Sequence, residues 1–223
     1  MEKPKWRKAV KQAMREATKQ EALQRYGTAE PSFNYRWEHV KAVVKLAQKL
    51  AKLVDGDKEI AVAAAWLHDI CKSEAGERHP QEGAKFARHF LPTTDFPSEK
   101  IERVAQAIHN HMGLWRDEPL TDLESMILWD ADKLSKIGLT AVFHWTGDLY
   151  SKAKPRTLED IIAFGRRSDW QSKTVASMHT EPARRAAQAR LQAYNQLWDT
   201  LEAELAGHDL DFPTVIPAKA GIH

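Results

Sequence analysis

The chain is poor in several things, and each shortage excludes a class of protein. A single cysteine, Cys71, stands among 223 residues, so no internal disulfide framework is possible and the thiol suits a reducing compartment. Its place on an apolar helical pattern predicts a buried packing role rather than a reactive one. No stretch approaches the ~18 consecutive apolar residues that a membrane span requires. The opening Met1-Glu-Lys-Pro-Lys-Trp-Arg-Lys is charged and is followed by no apolar leader core, so a cytoplasmic protein is expected. There is no Gly-rich phosphate loop, no nucleophile elbow and no internal repeat. The net charge of +2, from 33 basic and 31 acidic residues, lacks the concentrated basic excess of a nucleic-acid binder. Nucleic acid is therefore not expected as a partner.

Strand-like alternation is missing too, and what replaces it is helical periodicity. Residues 1 to 30 carry eight Lys or Arg against four Glu with no glycine before Gly27, the composition of a basic amphipathic helix packed on the domain. Val40, Val43, Val44, Ala47, Leu50 and Val54 share one helical stripe over residues 37 to 54. Asp55-Gly-Asp57 stops that helix and caps another, which buries Ile60, Ala63, Ala64 and Leu67. A polar loop is expected over Ser73 to Arg78, a helix over Pro80 to Phe90, and a break at Leu91-Pro-Thr-Thr-Asp-Phe-Pro97. A further stripe runs from Ile101 to Met112. Thr121-Asp-Leu-Glu124 reads as a capping box that opens a helix running toward Trp145. Helices are also predicted over Leu158 to Arg166 and Thr180 to Ala206. The expected organisation is an all-α irregular helical bundle: a basic N-terminal helical segment over 1–30, a core over 31–150, C-terminal helices completing the same domain over 151–210, and a flexible tail over 211–223.

At the end of the run Ala61-Val-Ala-Ala-Ala-Trp-Leu-His-Asp-Ile-Cys-Lys72 stand His68 and Asp69. Burying an imidazole and a carboxylate without partners costs several kcal/mol or displaces their pKa values, and a metal ion satisfies both. His39 on the preceding helix and an aspartate on the helix after Thr121 would complete a set of two imidazoles and two carboxylates. Such a set suits a divalent ion among Mn, Fe, Co, Ni, Mg or Zn. Asp130 and Asp132 compete for the last place, because they lie about 200° apart on a helix and cannot both face one ion.

Three motifs in order resemble the HD-domain superfamily of metal-dependent phosphohydrolases: Tyr35-Arg-Trp-Glu-His39-Val, then Leu67-His-Asp-Ile-Cys-Lys72 with Cys71 where glycine is frequent, then Asp130-Ala-Asp-Lys-Leu134. The resemblance covers about residues 33 to 145. It implies His39, His68, Asp69 and Asp132 as metal ligands, favouring Asp132 over Asp130, which would then act from outside the ligand set or as an alternative ligand. His79 and His111 lie in contexts resembling those of added ligands for a second ion, so one ion or two is implied. His109 faces away from His111. By the same resemblance Asp69 takes part in catalysis, Lys72 serves catalysis or substrate binding, and Arg36 clamps a substrate phosphate. Lys133 is read as off the aspartate's face, Trp66 and Trp129 as core or cleft-wall aromatics, and Arg166, Arg167, Arg184 and Arg185 as solvated surface.

The implied activity is hydrolysis of a phosphomonoester, phosphodiester or nucleotide phosphate through a metal-activated water. Two alternatives stay open: a di-iron oxygenase on the same fold, needing His79 and His111, and a non-catalytic nucleotide-sensing module. The implied partner is a small phosphate ester or nucleotide; leftover helical faces could pair subunits, and no membrane is expected.

Overall fold

Trp6, Val10, Met14, Thr18 and Ala22 recur every four residues and are all buried on one stripe of the first helix, α1 (Trp6–Tyr26). The computed structural model describes residues 2–152, 157–167 and 170–211. Among these residues the protein is all-α, with eleven α-helices joined by short turns and no strand. The stripe of α1 lies against α2 (Tyr35–Leu53) and α3 (Lys58–Leu67), and Asp95 fastens its start by accepting a hydrogen bond from Trp6 N at 2.6 Å.

Capping residues fix the next elements. The Asn34 side chain accepts from Trp37 N at the start of α2, and Asp57 accepts from Glu59 N and Ile60 N at the start of α3. Ile60 to Ala65 and Leu67 are all buried, and the small side chains of α3 let it sit among α1, α2, α6 (Ile101–Asn110) and α7 (Leu123–Leu134). The polar stretch after His68, expected as a loop, instead forms the short α4 (Lys72–Ala75) and a 310 turn over Gly76–Arg78. Cys71 caps α4 and is half-buried rather than buried. Next comes α5 (His79–Phe90). Gly83 allows it to lie close to the end of α3, since a Cβ there would stand 3.1 Å from Ile108 and 3.6 Å from the carbonyls of Leu67 and His68.

The expected capping box at Thr121 does not form, and the cap falls one residue later. Asp122 is the cap of α7, its side chain accepting from Ser125 N at 2.8 Å. Nor does α7 run on to Trp145. It ends at Leu134, and α8 (Gly138–Ser151) begins after a turn in which Gly138 has φ +71°, with Arg190 2.7 Å from where a Cβ would stand. After α9 (Leu158–Arg166) comes α10 (Trp170–Ala176), which the periodicity did not predict, and then α11 (Glu181–Ala206). Two apolar clusters result: a large one shared by the helices up to α7, by Met178 and by Ala183 and Ala187 at the start of α11, and a smaller one of Val142, Ile162, Tyr194 and Trp198. The tail expected over 211–223 lies, past its first residue, outside the described residues. No described helix is long and apolar enough to cross a membrane.

Candidate metal centre

Five helix ends meet in the interior of the bundle. His39 comes from the first turns of α2, His68 and Asp69 from the end of α3, His79 from the first residue of α5, His111 from the end of α6 and Asp132 from the last turn of α7. All six are buried. His39 Nε2 lies 3.3 Å from His68 Nε2, 3.2 Å from Asp132 Oδ1 and 3.6 Å from Asp69 Oδ2. His68 Nε2 lies 3.4 Å from Asp69 Oδ2 and 3.9 Å from Asp132 Oδ1. Ligands held about 2.1 Å from one ion at angles between 90° and 109° stand about 3.0 to 3.4 Å apart. The His39, His68 and Asp69 atoms, 3.3 to 3.6 Å apart, are spaced close to that pattern, and Asp132 Oδ1 lies beside the two imidazoles.

The other oxygen of Asp69 belongs to a second group. Oδ1 is 3.3 Å from His79 Nε2 and 3.7 Å from His111 Nε2, and the two imidazole nitrogens are 3.1 Å apart. One carboxylate thus faces both groups.

The far side of each ring shows what the near side carries. Carbonyl oxygens of Ala65, Gly76 and Ile108 accept from Nδ1 of His68, His79 and His111 respectively. Ser135 Oγ donates to Asp132 O at 2.7 Å, so it accepts from His39 Nδ1 at 2.9 Å. With every Nδ1 protonated, a neutral ring turns an Nε2 lone pair inward. Burial lowers the pKa of His39 to about 3 despite the hydrogen bond to Asp132, and that of His111 to about 4 despite Asp69. These two rings are neutral at ordinary pH. In the nitrogen pairs at 3.3 and 3.1 Å, the lone pairs of His39 and His111 then face inward. Asp132 Oδ1 faces the same space, 3.2 Å from His39 Nε2 and 2.8 Å from Lys136 Nζ. Lone pairs and carboxylate oxygens converging in this way fit divalent cations.

Cations of the chain itself hold the carboxylates ionised. Burial pushes Asp69 up, but the Arg36 guanidinium and the neighbouring histidines keep it well below the usual carboxylate range. For Asp132 burial is outweighed by Lys133 and Lys136. Arg36, expected to clamp substrate, has its guanidinium engaged by Asp69 and by Glu21 of α1, at 2.8 and 3.2 Å for the latter. Lys133 was read as off the aspartate's face. Instead it is fully buried, donating to Asp132 Oδ2 and to His111 O, because its flexible four-carbon stem carries the ammonium back round the helix. Burial lowers its pKa to about 8. Lys136 donates to Asp132 Oδ2 at 2.9 Å, and Lys72 Nζ lies 3.3 Å from His79 Nδ1.

Asp130 points elsewhere. Its carboxylate accepts from His179 N, Thr180 N and Thr180 Oγ1 at 2.7 to 2.8 Å, tying α7 to the start of α11. His109 is exposed. Trp129 is buried in the core, Trp66 packs against Trp37, and Arg166, Arg184 and Arg185 pair with nearby acids at the surface.

Above the donor groups opens a cavity of about 410 Å³, walled by Asp69, Asp132, His79 and His111 together with five basic side chains: Arg25, Arg36, Lys72, Lys133 and Lys136. Periodicity missed Arg25, Glu21, Lys133, Lys136 and Ser135. Only Lys136, four residues after Asp132 and so on its face, carried a local signal.

Residues 36–137 match the model of the HD domain family. Among solved structures, the chain is similar to one described as a predicted HD superfamily hydrolase from an uncultured Thermotogales bacterium, at 25% identity over 89% of this chain and 90% of that one, with a TM-score of 0.58. It is also similar to Bacillus subtilis YpgQ in complex with ADP, at 20% identity over 85% and 98% of the two chains with a TM-score of 0.58. An HD-superfamily hydrolase from Bacillus thuringiensis matches at 16% identity over 88% and 98%, again with a TM-score of 0.58.

Proposed function

The chain belongs to the HD-domain superfamily, a family of metal-dependent hydrolases, and from that premise we propose that it is a cytoplasmic phosphohydrolase acting on a nucleotide or other small phosphate ester. The observation that carries the reading is the joining, in one cavity, of two converging donor groups with five basic side chains. Inward lone pairs call for divalent cations, and a basic wall calls for an anion on the open side. The ADP held by the Bacillus subtilis relative supports a nucleotide among the candidate anions.

In this reading His39, His68, Asp69 and Asp132 would hold one ion, and Asp69, His79 and His111 would hold a second. A divalent ion placed there supplies Lewis acidity toward a phosphoryl oxygen and lowers the pKa of water toward neutrality. The chain's own residues do the rest. Arg36, held by Glu21, keeps Asp69 ionised and oriented with one oxygen toward each group. Ser135 and the three carbonyls keep the imidazoles in the metal-binding tautomer. Lys72 and Lys136, half-buried at the wall, meet the phosphate oxygens and offset the charge that develops on them. The completeness of the Asp69, His79 and His111 trio also supports a second reading, a di-iron oxygenase, which oxygen consumption by the iron-loaded protein would reveal.

The test is elemental analysis of the purified protein, then phosphate release from nucleotides and simple phosphomonoesters with Mn, Co, Ni or Mg, for wild type beside Asp69→Ala. Metal-dependent release is expected, with a loss of about a thousandfold or more in the variant, since it removes a ligand of both groups. Bound metal with no release from any ester would sink the hydrolase reading.

A further inference from the structure

A second cavity, of about 340 Å³, adjoins the basic one and shares Tyr35, Leu114 and Lys136 with it as wall residues. The chemistry changes across that wall. Trp145, Phe164, Trp170 and Tyr194 line the second cavity, and no carboxylate among the described residues does. The rings are held in place: Trp145 stacks on Trp198 with centroids 6.1 Å apart and meets Phe164 at 5.1 Å, while the Tyr194 hydroxyl donates to Gly165 O at 2.8 Å.

Gln171 lines the same cavity. It is 1% exposed, and its Oε1 has no hydrogen-bond partner among the described residues. A buried amide oxygen without a donor destabilises a fold and is rare in native structures. Beside a ligand-sized cavity it is an acceptor set to receive an N–H from whatever enters. Flat aromatic walls favour a planar ring, which gains by stacking. Sugar phosphates and lipid phosphates offer neither a planar ring nor a ring N–H.

We propose that this cavity is the nucleobase subsite: the base of a nucleotide stacks among Trp145, Trp170 and Tyr194 and donates an N–H to Gln171 Oε1, while its phosphate lies in the basic cavity across Tyr35 and Lys136. The assignment rests on the phosphohydrolase reading for the phosphate end, and it adds the part of the substrate that decides selectivity. Tyr35 and Lys136 belong to both cavities, so one ligand reaches from the metal centre to the aromatic wall.

Free nucleosides test the subsite separately, because they carry no phosphate and need no turnover. Adenosine, guanosine, cytidine and uridine are titrated into the metal-loaded protein and followed by tryptophan fluorescence, with ribose 5-phosphate as the ring-free control. At least one nucleoside is expected to quench the fluorescence where ribose 5-phosphate does not. Gln171→Leu keeps the side-chain volume, so its Tm is expected to stay level or rise while nucleoside affinity falls about fivefold, the effect of one lost neutral hydrogen bond. Should that variant fold poorly, Gln171→Met serves the same comparison. Failure of every nucleoside to quench, or unchanged affinity in a folded Gln171 variant, would overturn the subsite even if phosphate esters are hydrolysed. Nucleoside binding that weakens as stated, with no hydrolysis of any ester, would uphold it and count against the hydrolase reading alone.

Discussion

Two parts of the molecule fill their interiors by opposite means. The bundle of α2, α3, α5, α6 and α7 encloses, at the candidate centre alone, four imidazoles, two carboxylates and a lysine among its aliphatic side chains. The annex of α8, α9 and α11 encloses Val142, Ile162, Tyr194 and Trp198. Apolar burial stabilises by itself. Polar burial does so only when each group finds a partner, and in the bundle the partners are backbone carbonyls, basic side chains and an inward space that cations fit. Chemistry therefore concentrates where burial is least favourable, and the annex shapes what reaches it.

Acid is expected to separate the two parts most strongly. Burial pushes His39 to about 3 and His111 to about 4, whereas in the unfolded chain each titrates near 6.5. Below that value the unfolded chain takes up protons that the folded one refuses. The metal-free protein then loses about 1.4 kcal/mol per pH unit for each imidazole. Stability is full above about pH 6.5 and falls toward pH 4, before the depressed carboxylates contribute. Urea unfolding of the metal-free protein at pH 7, 6 and 5 measures the slope; a flat profile would show that the folded rings take up protons as readily as the unfolded ones.

Asp130→Ala sharpens the contrast from the seam between the parts. It removes three hydrogen bonds to His179 and Thr180 and orphans buried donors, at about 2 to 4 kcal/mol. Tm is expected to fall with metal content unchanged; a matching loss of metal would assign Asp130 to the centre after all. The smallest effect belongs to the annex. A Cβ on Gly165 would stand 2.4 Å from the Trp198 ring, so Gly165→Ala is expected to cost about 1 to 3 kcal/mol by overpacking. Metal content again stays level, and a melting curve beside elemental analysis checks both halves of the statement.

Periodicity made the aliphatic framework legible. The stripe of α2 and the whole of α9 lie where the apolar spacing puts them. The 200° between Asp130 and Asp132 is visible too, as one carboxylate facing the donor groups and the other facing α11. Tertiary contacts were not legible. The break after Leu134 depends on Arg190 lying against Gly138, and nothing within Ser135-Lys-Ile-Gly138 announces it. The one-residue shift of the α7 cap arises because Thr121 and Asp122 are both able caps, and packing chooses between them. Arg25 reaches the cavity, and Glu21 reaches Arg36 at its wall, from a helix whose composition suggests only a solvated basic face. Lys133 escaped because a lysine in a helix is ordinarily solvated, and only the final packing shows an ammonium enclosed beside Asp132.

Asp69 presents one oxygen to each donor group, and this ties the two positions together thermodynamically. A cation bound on one side withdraws charge from the carboxylate that the other side needs, while also fixing the orientation that the other side requires. By reciprocity, whatever factor the first occupant imposes on the affinity of the second, the second imposes on the first. Two cations bound there would share a single binding polynomial, and no titration of one would report on it alone.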